Sequence, residues 1–205
     1  MDDWLARLCT KTNAEIVEIY NQGDDKRIAG DPLTEEGWCY GMAMHWLIRK
    51  FQGKGDFWTW APSSEAEGKF RMPMAHQRLV KGPVTGSKLG GDADLYHGTA
   101  ALMRPHGLRQ VFASEMISKQ SASTMVNEMC CNSATHIMIA FCGNGGHAMA
   151  AHFSQLHISF FDPNAGEFAF PRTRMADFTE WLRWFFTGMG YWGTYPSFYL
   201  EGFAK

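Results

Sequence analysis

Apolar positions recur along this chain with two different periods, and the change from one to the other falls near residue 130. In the first part the spacing is helical. Asp2 to Tyr20 is expected to form one amphipathic helix, since Leu5, Leu8, Ile16, Val17 and Tyr20 share much of one face. Gly23-Asp24-Asp25-Lys26-Arg27 breaks it with a charged turn, and Asp31-Pro32-Leu33-Thr34-Glu35-Glu36-Gly37 reads as a loop. A second helix is expected from Trp38 to Phe51, with Met42, His45 and Trp46 facing inward, stopped by Gly53-Lys54-Gly55. Residues 52 to 92 are rich in Gly, Pro, Ser and Lys, so an irregular region with one short helix near Met74 to Val80 is expected. Ala93 to Arg104 is a clearer helix, ended by Pro105 and Gly107, followed by a short strand at Leu108 to Phe112 and a helix at Ala122 to Cys130.

Beyond that point apolar and polar positions alternate between short turns. Strands are expected at His136 to Phe141, His147 to Phe153, Leu156 to Phe161 and Glu167 to Phe170. Gly143-Asn144-Gly145-Gly146 and Pro163-Asn164-Ala165-Gly166 supply turns, an aromatic-rich helix occupies Met175 to Phe186, and a last strand Ser197 to Leu200. Helices followed by antiparallel hairpins imply an α+β fold, an N-terminal helical lobe packed on a C-terminal antiparallel sheet. No internal repeat divides residues 1–205, so a single domain is expected, with residues 1–30 as an N-terminal helical extension.

Composition narrows the class. The 205 residues are 45% hydrophobic and 14% aromatic, enough for a sizeable core. Lys and Arg number 19 against 21 Asp and Glu, without a basic stripe, which argues against a nucleic-acid partner. No apolar run reaches the roughly 18 residues of a transmembrane segment. Met1-Asp2-Asp3-Trp4 opens acidic, unlike a conventional signal peptide, and no acylation signal follows Met1. The five cysteines, Cys9, Cys39, Cys130, Cys131 and Cys142, form neither a disulfide framework nor a paired zinc knuckle. A zinc site drawn from Cys130, Cys131, Cys142, His147 or His152 matches no common spacing, so neither metal nor cofactor is expected.

One cysteine stands apart. Cys39 follows a loop and a glycine and opens an apolar helix, where the positive end of the helix dipole favours a thiolate over a thiol of pKa about 8.5. Gly37 and Gly41 beside it leave room for a substrate backbone. Cys9 lies mid-helix, Cys130 and Cys131 at a helix end, and Cys142 at a strand end; these read as packed or incidental thiols. A thiol nucleophile needs a base, and among eight histidines His147 begins a strand after a glycine turn, an accessible place on a rigid support. Asp162 closes a strand before Pro163. Such an Asp-Pro often serves as a turn former, but a short hairpin would set residues 147 and 162 opposite each other, within reach of a carboxylate–imidazole bond.

At these three segments the chain resembles the YopT/AvrPphB family of bacterial effector cysteine proteases, within the papain-like superfamily. The matching residues are Gly-Trp-Cys39-Tyr-Gly-Met, Gly-Gly-His147-Ala and Phe-Phe-Asp162-Pro-Asn-Ala-Gly-Glu-Phe, in that order. The resemblance implies a papain-like fold and a catalytic triad of Cys39, His147 and Asp162. It also implies a protease that a bacterium secretes without a conventional signal peptide and that acts in the cytosol of a target cell, as a virulence effector or toxin. Its partner would be a protein substrate there, with a chaperone or immunity protein as a further partner.

One departure concerns the oxyanion. The family places an amide side chain a few residues before the cysteine, whereas residues 31 to 36 contain no Asn or Gln. Thr34 is the candidate substitute, with Asn21 or Gln22 folding in as the alternative. The same triad acting on a glutamine side chain would make a deamidase or transglutaminase, and a non-catalytic binding protein derived from the fold is a further alternative.

Overall fold

The computed structural model describes residues 3–28, 38–81, 99–114, 117–118, 122–131, 133–143 and 145–205. A mixed set of helices covers both faces of one antiparallel sheet. Its strands are β1 (Glu15–Ile19), β2 (Arg109–Ala113), β3 (Ile117–Ser118), β4 (His136–Gly143), β5 (Gly145–Phe153), β6 (His157–Asp162), β7 (Gly166–Pro171) and β8 (Ser197–Ala204). They run in the order β1-β7-β6-β5-β4-β8-β2, with β3 also pairing with β8. The α+β architecture expected from the two periodicities is present, with the antiparallel sheet of the papain-like fold that the resemblance implies.

The period-2 alternation of these strands sends apolar residues to two separate cores. On one face Ile137, Ile139, Met149, Phe160, Phe168 and Leu200 pack beneath α1 (Asp3–Lys11), α6 (Ala122–Cys130) and α7 (Met175–Gly188). There Trp181 stacks on Phe185 with ring centroids 4.5 Å apart, so the aromatic surplus of this helix is largely core. On the other face Met138, Ala148, Ala150, Phe161 and Phe203 pack beneath α2 (Cys39–Gln52), α3 (Phe57–Trp60) and α4 (Ser64–Lys81). A further helix, α5, is described over 99–103. The short α8 (Tyr191–Thr194) follows α7.

Three expectations are corrected. The single helix over Asp2 to Tyr20 ends at Lys11, where Asn13 takes a left-handed φ of 53°. Glu15-Ile16-Val17-Glu18-Ile19 then extends and pairs with β7, as its β-branched residues favour. The stretch from 52 to 92 is helical over much of its described part. Ser63 caps α4 by accepting the Ala66 N–H at 3.1 Å, and Glu65–Lys69 and Glu67–Arg71 ion pairs brace its first turns. Pro73 sits inside this helix and masked its continuity. Finally, Gly41 is a packing residue and gives no room to substrate: a Cβ there would lie 2.2 Å from the Phe70 carbonyl oxygen of α4. Residues 29–37, with Thr34 and Gly37, and residues 93–98 of the expected Ala93–Arg104 helix lie outside the described residues.

α2 is fixed to the sheet by a buried carboxylate. Glu167 of β7 is 3% exposed, accepts the indole N–H groups of Trp46 and Trp58 at 3.0 Å each, and pairs with Lys50 at 2.7 Å. Both oxygens are therefore occupied, and the helix that begins at Cys39 is clamped through its second half.

Candidate active site

Cys39 is the first residue of α2, as the sequence suggested, yet the helix has no capping side chain of its own at Trp38. Gln22 supplies one from a distance. Its Oε1 accepts the Trp38 N–H at 2.8 Å, and its Nε2 donates to Asn164 Oδ1 at 2.7 Å. Of the two amides considered as alternatives to Thr34, Asn21 is turned elsewhere, capping the short 3-10 turn Gln22–Asp24 through Gly23. Gln22 is the amide at the cysteine's helix start.

His147 lies on β5 and Asp162 ends β6, but not in the register expected. The ladder pairs Ala150 with Phe161 and Ala151 with Phe160, so His147 and Asp162 are offset by two positions. The turn is responsible: Ser154 bonds His157 at both its N–H and its hydroxyl, centring the hairpin one residue later than expected. A slip of one would have sent the two side chains to opposite faces, whereas a slip of two keeps them on one face as diagonal neighbours. Their side chains meet, with Nε2 2.8 Å from Oδ1. The Asp162 carboxylate also accepts the Asn164 N–H at 2.8 Å, so it forms the turn and holds the imidazole at once.

With Nε2 engaged by Asp162, the other ring nitrogen is left for the thiol, and His147 and Cys39 are hydrogen-bonded. Both are almost fully buried. Burial pushes the Cys39 thiol up, but the His147 bond and charge and the backbone N–H groups of Ala148 and Tyr40 outweigh it, so its pKa lies below the ordinary value. Burial likewise opposes the imidazolium of His147. The Asp162 carboxylate and then Cys39 overcome this and raise the imidazole to about 10. Both shifts favour a thiolate–imidazolium pair over a neutral thiol and imidazole.

Tyr191 was not found from sequence. Gly190, with φ 73°, turns the chain into α8 so that the phenol points at the site. The hydroxyl donates to Asp162 Oδ2 at 2.8 Å, lies 3.2 Å from His147 Nε2, and accepts from Asn164 Nδ2 at 3.3 Å. A ring of hydrogen bonds thus runs from Trp38 through Gln22, Asn164, Tyr191, Asp162 and His147 back to Cys39. A lone Tyr after a glycine carries no pattern in sequence; only Asn164, inside the aspartate segment, was within a motif.

The other thiols stay apart from this arrangement. Cys9 is buried under α7, Cys130 and Cys131 are exposed, and Cys142 is partly buried opposite Gly146. Among the described residues no three His, Cys, Asp or Glu side chains gather as a metal site, and no helix is long and apolar enough to cross a membrane.

The family model described as Yersinia/Haemophilus virulence surface antigen, Peptidase_C58, matches residues 9–198. No curated protein matches the chain in sequence. Among solved structures, the Pseudomonas avirulence protein AvrPphB superposes with a TM-score of 0.57 at 17% identity, over 85% of this chain and 95% of that one. The YopT domain of the Pasteurella multocida PfhB2 toxin gives 0.36 at 17% identity, covering 90% of this chain and 91% of that one. PatoxP, a cysteine protease-like domain of the Photorhabdus asymbiotica toxin PaTox, gives 0.42 at 13% identity, over 97% and 57% of the two chains.

Proposed function

We propose, given that the chain belongs to the Peptidase_C58 family and is a cysteine peptidase, that it cleaves a specific protein of a target cell through Cys39, His147 and Asp162. The observation that carries this reading is the 2.8 Å His147–Asp162 bond behind an imidazole that pairs with the Cys39 thiol at a helix N-terminus. In the first step the Cys39 thiolate attacks the scissile carbonyl carbon. The developing oxyanion is held by the Cys39 backbone N–H and by the second amide N–H of Gln22, in place of the expected Thr34. The imidazolium of His147 then gives its proton to the departing amine, leaving a thioester on Sγ. Neutral His147 takes a proton from water, the hydroxide attacks the thioester, and thiolate and imidazolium are restored.

Asp162 keeps the ring in the tautomer that faces Cys39 and stabilises its charged form, while Tyr191 and Asn164 hold Asp162. The reading extends to a single domain over residues 1–205, delivered by a bacterium and acting in the cytosol of the target cell, with a chaperone or immunity protein as a further partner. The test is substrate trapping with a Cys39→Ala protein, followed by incubation of the retained protein with the unmodified enzyme. Chain cleavage that disappears in Cys39→Ala supports the proposal. A mass gain of about one dalton on glutamine without chain breaks overturns proteolysis in favour of deamidation.

A further inference from the structure

On the side of α2 away from the sheet, a cavity of about 240 Å³ opens between this helix, α4 and the 3-10 turn Arg104–His106. Its lining is unusually basic. His45 and Arg49 reach it from α2, Lys54 from the loop after α2, Lys69 from α4 and His106 from the 3-10 turn. Glu65 of α4 is the one carboxylate among the described lining side chains and pairs with Lys69 at 2.7 Å.

Two polar atoms there are buried without a hydrogen-bond partner: Nε2 of His45 and Nε of Arg49. The first follows from the helix-breaking residue of α4. Pro73 lacks the N–H that would bond the Lys69 carbonyl four residues back, and the His45 ring hydrogen-bonds the Lys69 backbone instead. That bond takes one ring nitrogen and leaves Nε2, in a side chain 4% exposed beside the cavity, without a partner. The guanidinium carbon of Arg49 lies over the Trp60 ring, 4.7 Å from its centroid.

We propose that this cavity binds a phosphate group, as the free anion or as a phosphate monoester on a lipid headgroup. Among the described lining side chains three permanent cations face one carboxylate, the buried Arg49 Nε–H lacks an acceptor, and a buried donor left unmatched is costly unless a ligand satisfies it. At about 240 Å³ the space is below the ~300–1,000 Å³ of pockets for drug-sized ligands, and suits a compact anion. The field is positive even at the imidazole. Burial holds the His45 pKa down near about 4, and the charges of His106, Lys69 and Arg49 depress it further. Among the described residues, the charged and titratable groups around His45 are Arg49 on its own helix, Lys69 and Glu65 on α4, His106 on the 3-10 turn and Lys54 on the loop. An arriving anion offsets that field, so binding favours the protonated form of His45.

The site is six residues down α2 from Cys39, about 9 Å along the helix axis, and is independent of the peptidase chemistry. Titration of the whole protein with inorganic phosphate at matched ionic strength, followed by calorimetry and by the His45 and His106 imidazole resonances, tests it. Saturable binding is expected, with the His45 and His106 resonances shifting as it proceeds. Arg49→Gln should weaken it by about tenfold or more, and Glu65→Gln, which removes the competing carboxylate, should tighten it by about threefold. If Arg49→Gln fails to fold, the exposed Lys54→Glu takes its place with the same expected loss.

A second arm uses phosphatidylcholine vesicles with and without a phosphoinositide. Binding to phosphoinositide vesicles alone assigns a lipid headgroup, and binding of inorganic phosphate as well assigns the free anion. Absence of saturable binding in both arms overturns the proposal. So does an affinity that Arg49→Gln and Lys54→Glu leave unchanged. Because Cys39→Ala protein should bind phosphate like the unmodified chain, the outcome is separate from that of the proposed proteolysis.

Discussion

Asp162 and Glu167 are two buried carboxylates on one hairpin, five residues apart, and they do opposite work. Asp162 pairs across the turn with Gly166, and Glu167 pairs with Phe161, so the two acids point to opposite faces of the sheet. Glu167 meets three donors from the same helical layer, Trp46, Trp58 and Lys50, none of which has to move. Asp162 meets His147, Tyr191 and the Asn164 N–H, and the first of these must gain and lose a proton in the proposed reaction. Burial alone therefore does not mark a reactive acid. What separates the two is whether any partner can change its charge.

The largest effect expected from breaking this contrast is on rate, at Asp162. Asp162→Asn is nearly isosteric, so the fold should persist while the imidazole loses the partner that fixes its tautomer. By analogy with the serine-protease aspartate, kcat should fall by about 10⁴-fold, or about 5.5 kcal/mol in the barrier. The melting temperature should fall as well, because the buried imidazole loses the carboxylate that stabilises its charged form. Steady-state kinetics beside a thermal melt would measure both, and a fall of less than tenfold would remove Asp162 from the proposed triad.

Glu167→Ala should behave in the reverse sense. It strands two indole N–H groups and an ammonium, and about 3 kcal/mol of stability should go with them. For a chain of this size that lowers the melting temperature by about 6–12 °C. Activity per folded molecule should stay near that of the unmodified protein when assayed well below the melt. A Glu167→Ala protein that melts normally but has lost turnover would erase the distinction drawn between the two acids.

How far sequence could carry this contrast depends on the range of the signal. Cys39, His147 and Asp162 each sit beside a turn or helix start that local pattern reveals, and all three meet in the structure. The strands from His136 to Phe170 were legible because alternation and Gly-containing turns coincide. By contrast the break at Asn13 was hidden, since Ile16 and Val17 also fit a helical face. The helix through Pro73 was hidden because one proline outweighed two i,i+4 ion pairs. Glu167 lay inside a recognised segment, but its partners come from residues 46, 50 and 58, a pairing no local window contains. The hairpin register illustrates the limit most clearly: the face was right and the pairing was off by two, because parity is local while the turn's centre depends on Ser154.

Gln22 should show the next largest effect. Its position before the thiol's helix depends on long-range folding, with one amide atom on Trp38 and the other on Asn164. Gln22→Ala should lower kcat by about 10²-fold if the second N–H stabilises the oxyanion. KM should move less. A KM-only defect would make Gln22 a cap of the helix start with no part in the oxyanion hole.

Tyr191→Phe should be the mildest and the most discriminating variant. It deletes one donor to Asp162 while leaving the ring packed among Phe141, Phe185 and Phe186. The carboxylate is then free to turn, and kcat should fall by about tenfold, with about 1 kcal/mol of stability lost. The pH profile separates this from a packing defect. In the unmodified enzyme activity should rise as Cys39 ionises through its depressed pKa and fall as His147 loses its proton near pH about 10. The raised imidazole also means that its stabilisation is complete below about pH 6.5 and is lost as pH climbs through about 10. Asp162→Asn removes the main force holding the imidazole up, so its alkaline limb should move to lower pH. Tyr191→Phe instead leaves the Asp162 charge less well hydrogen-bonded and its hold on the imidazolium stronger, so that limb should stay or move to higher pH. Limbs that shift in the same direction in both variants would show that Tyr191 acts on His147 by some route other than Asp162.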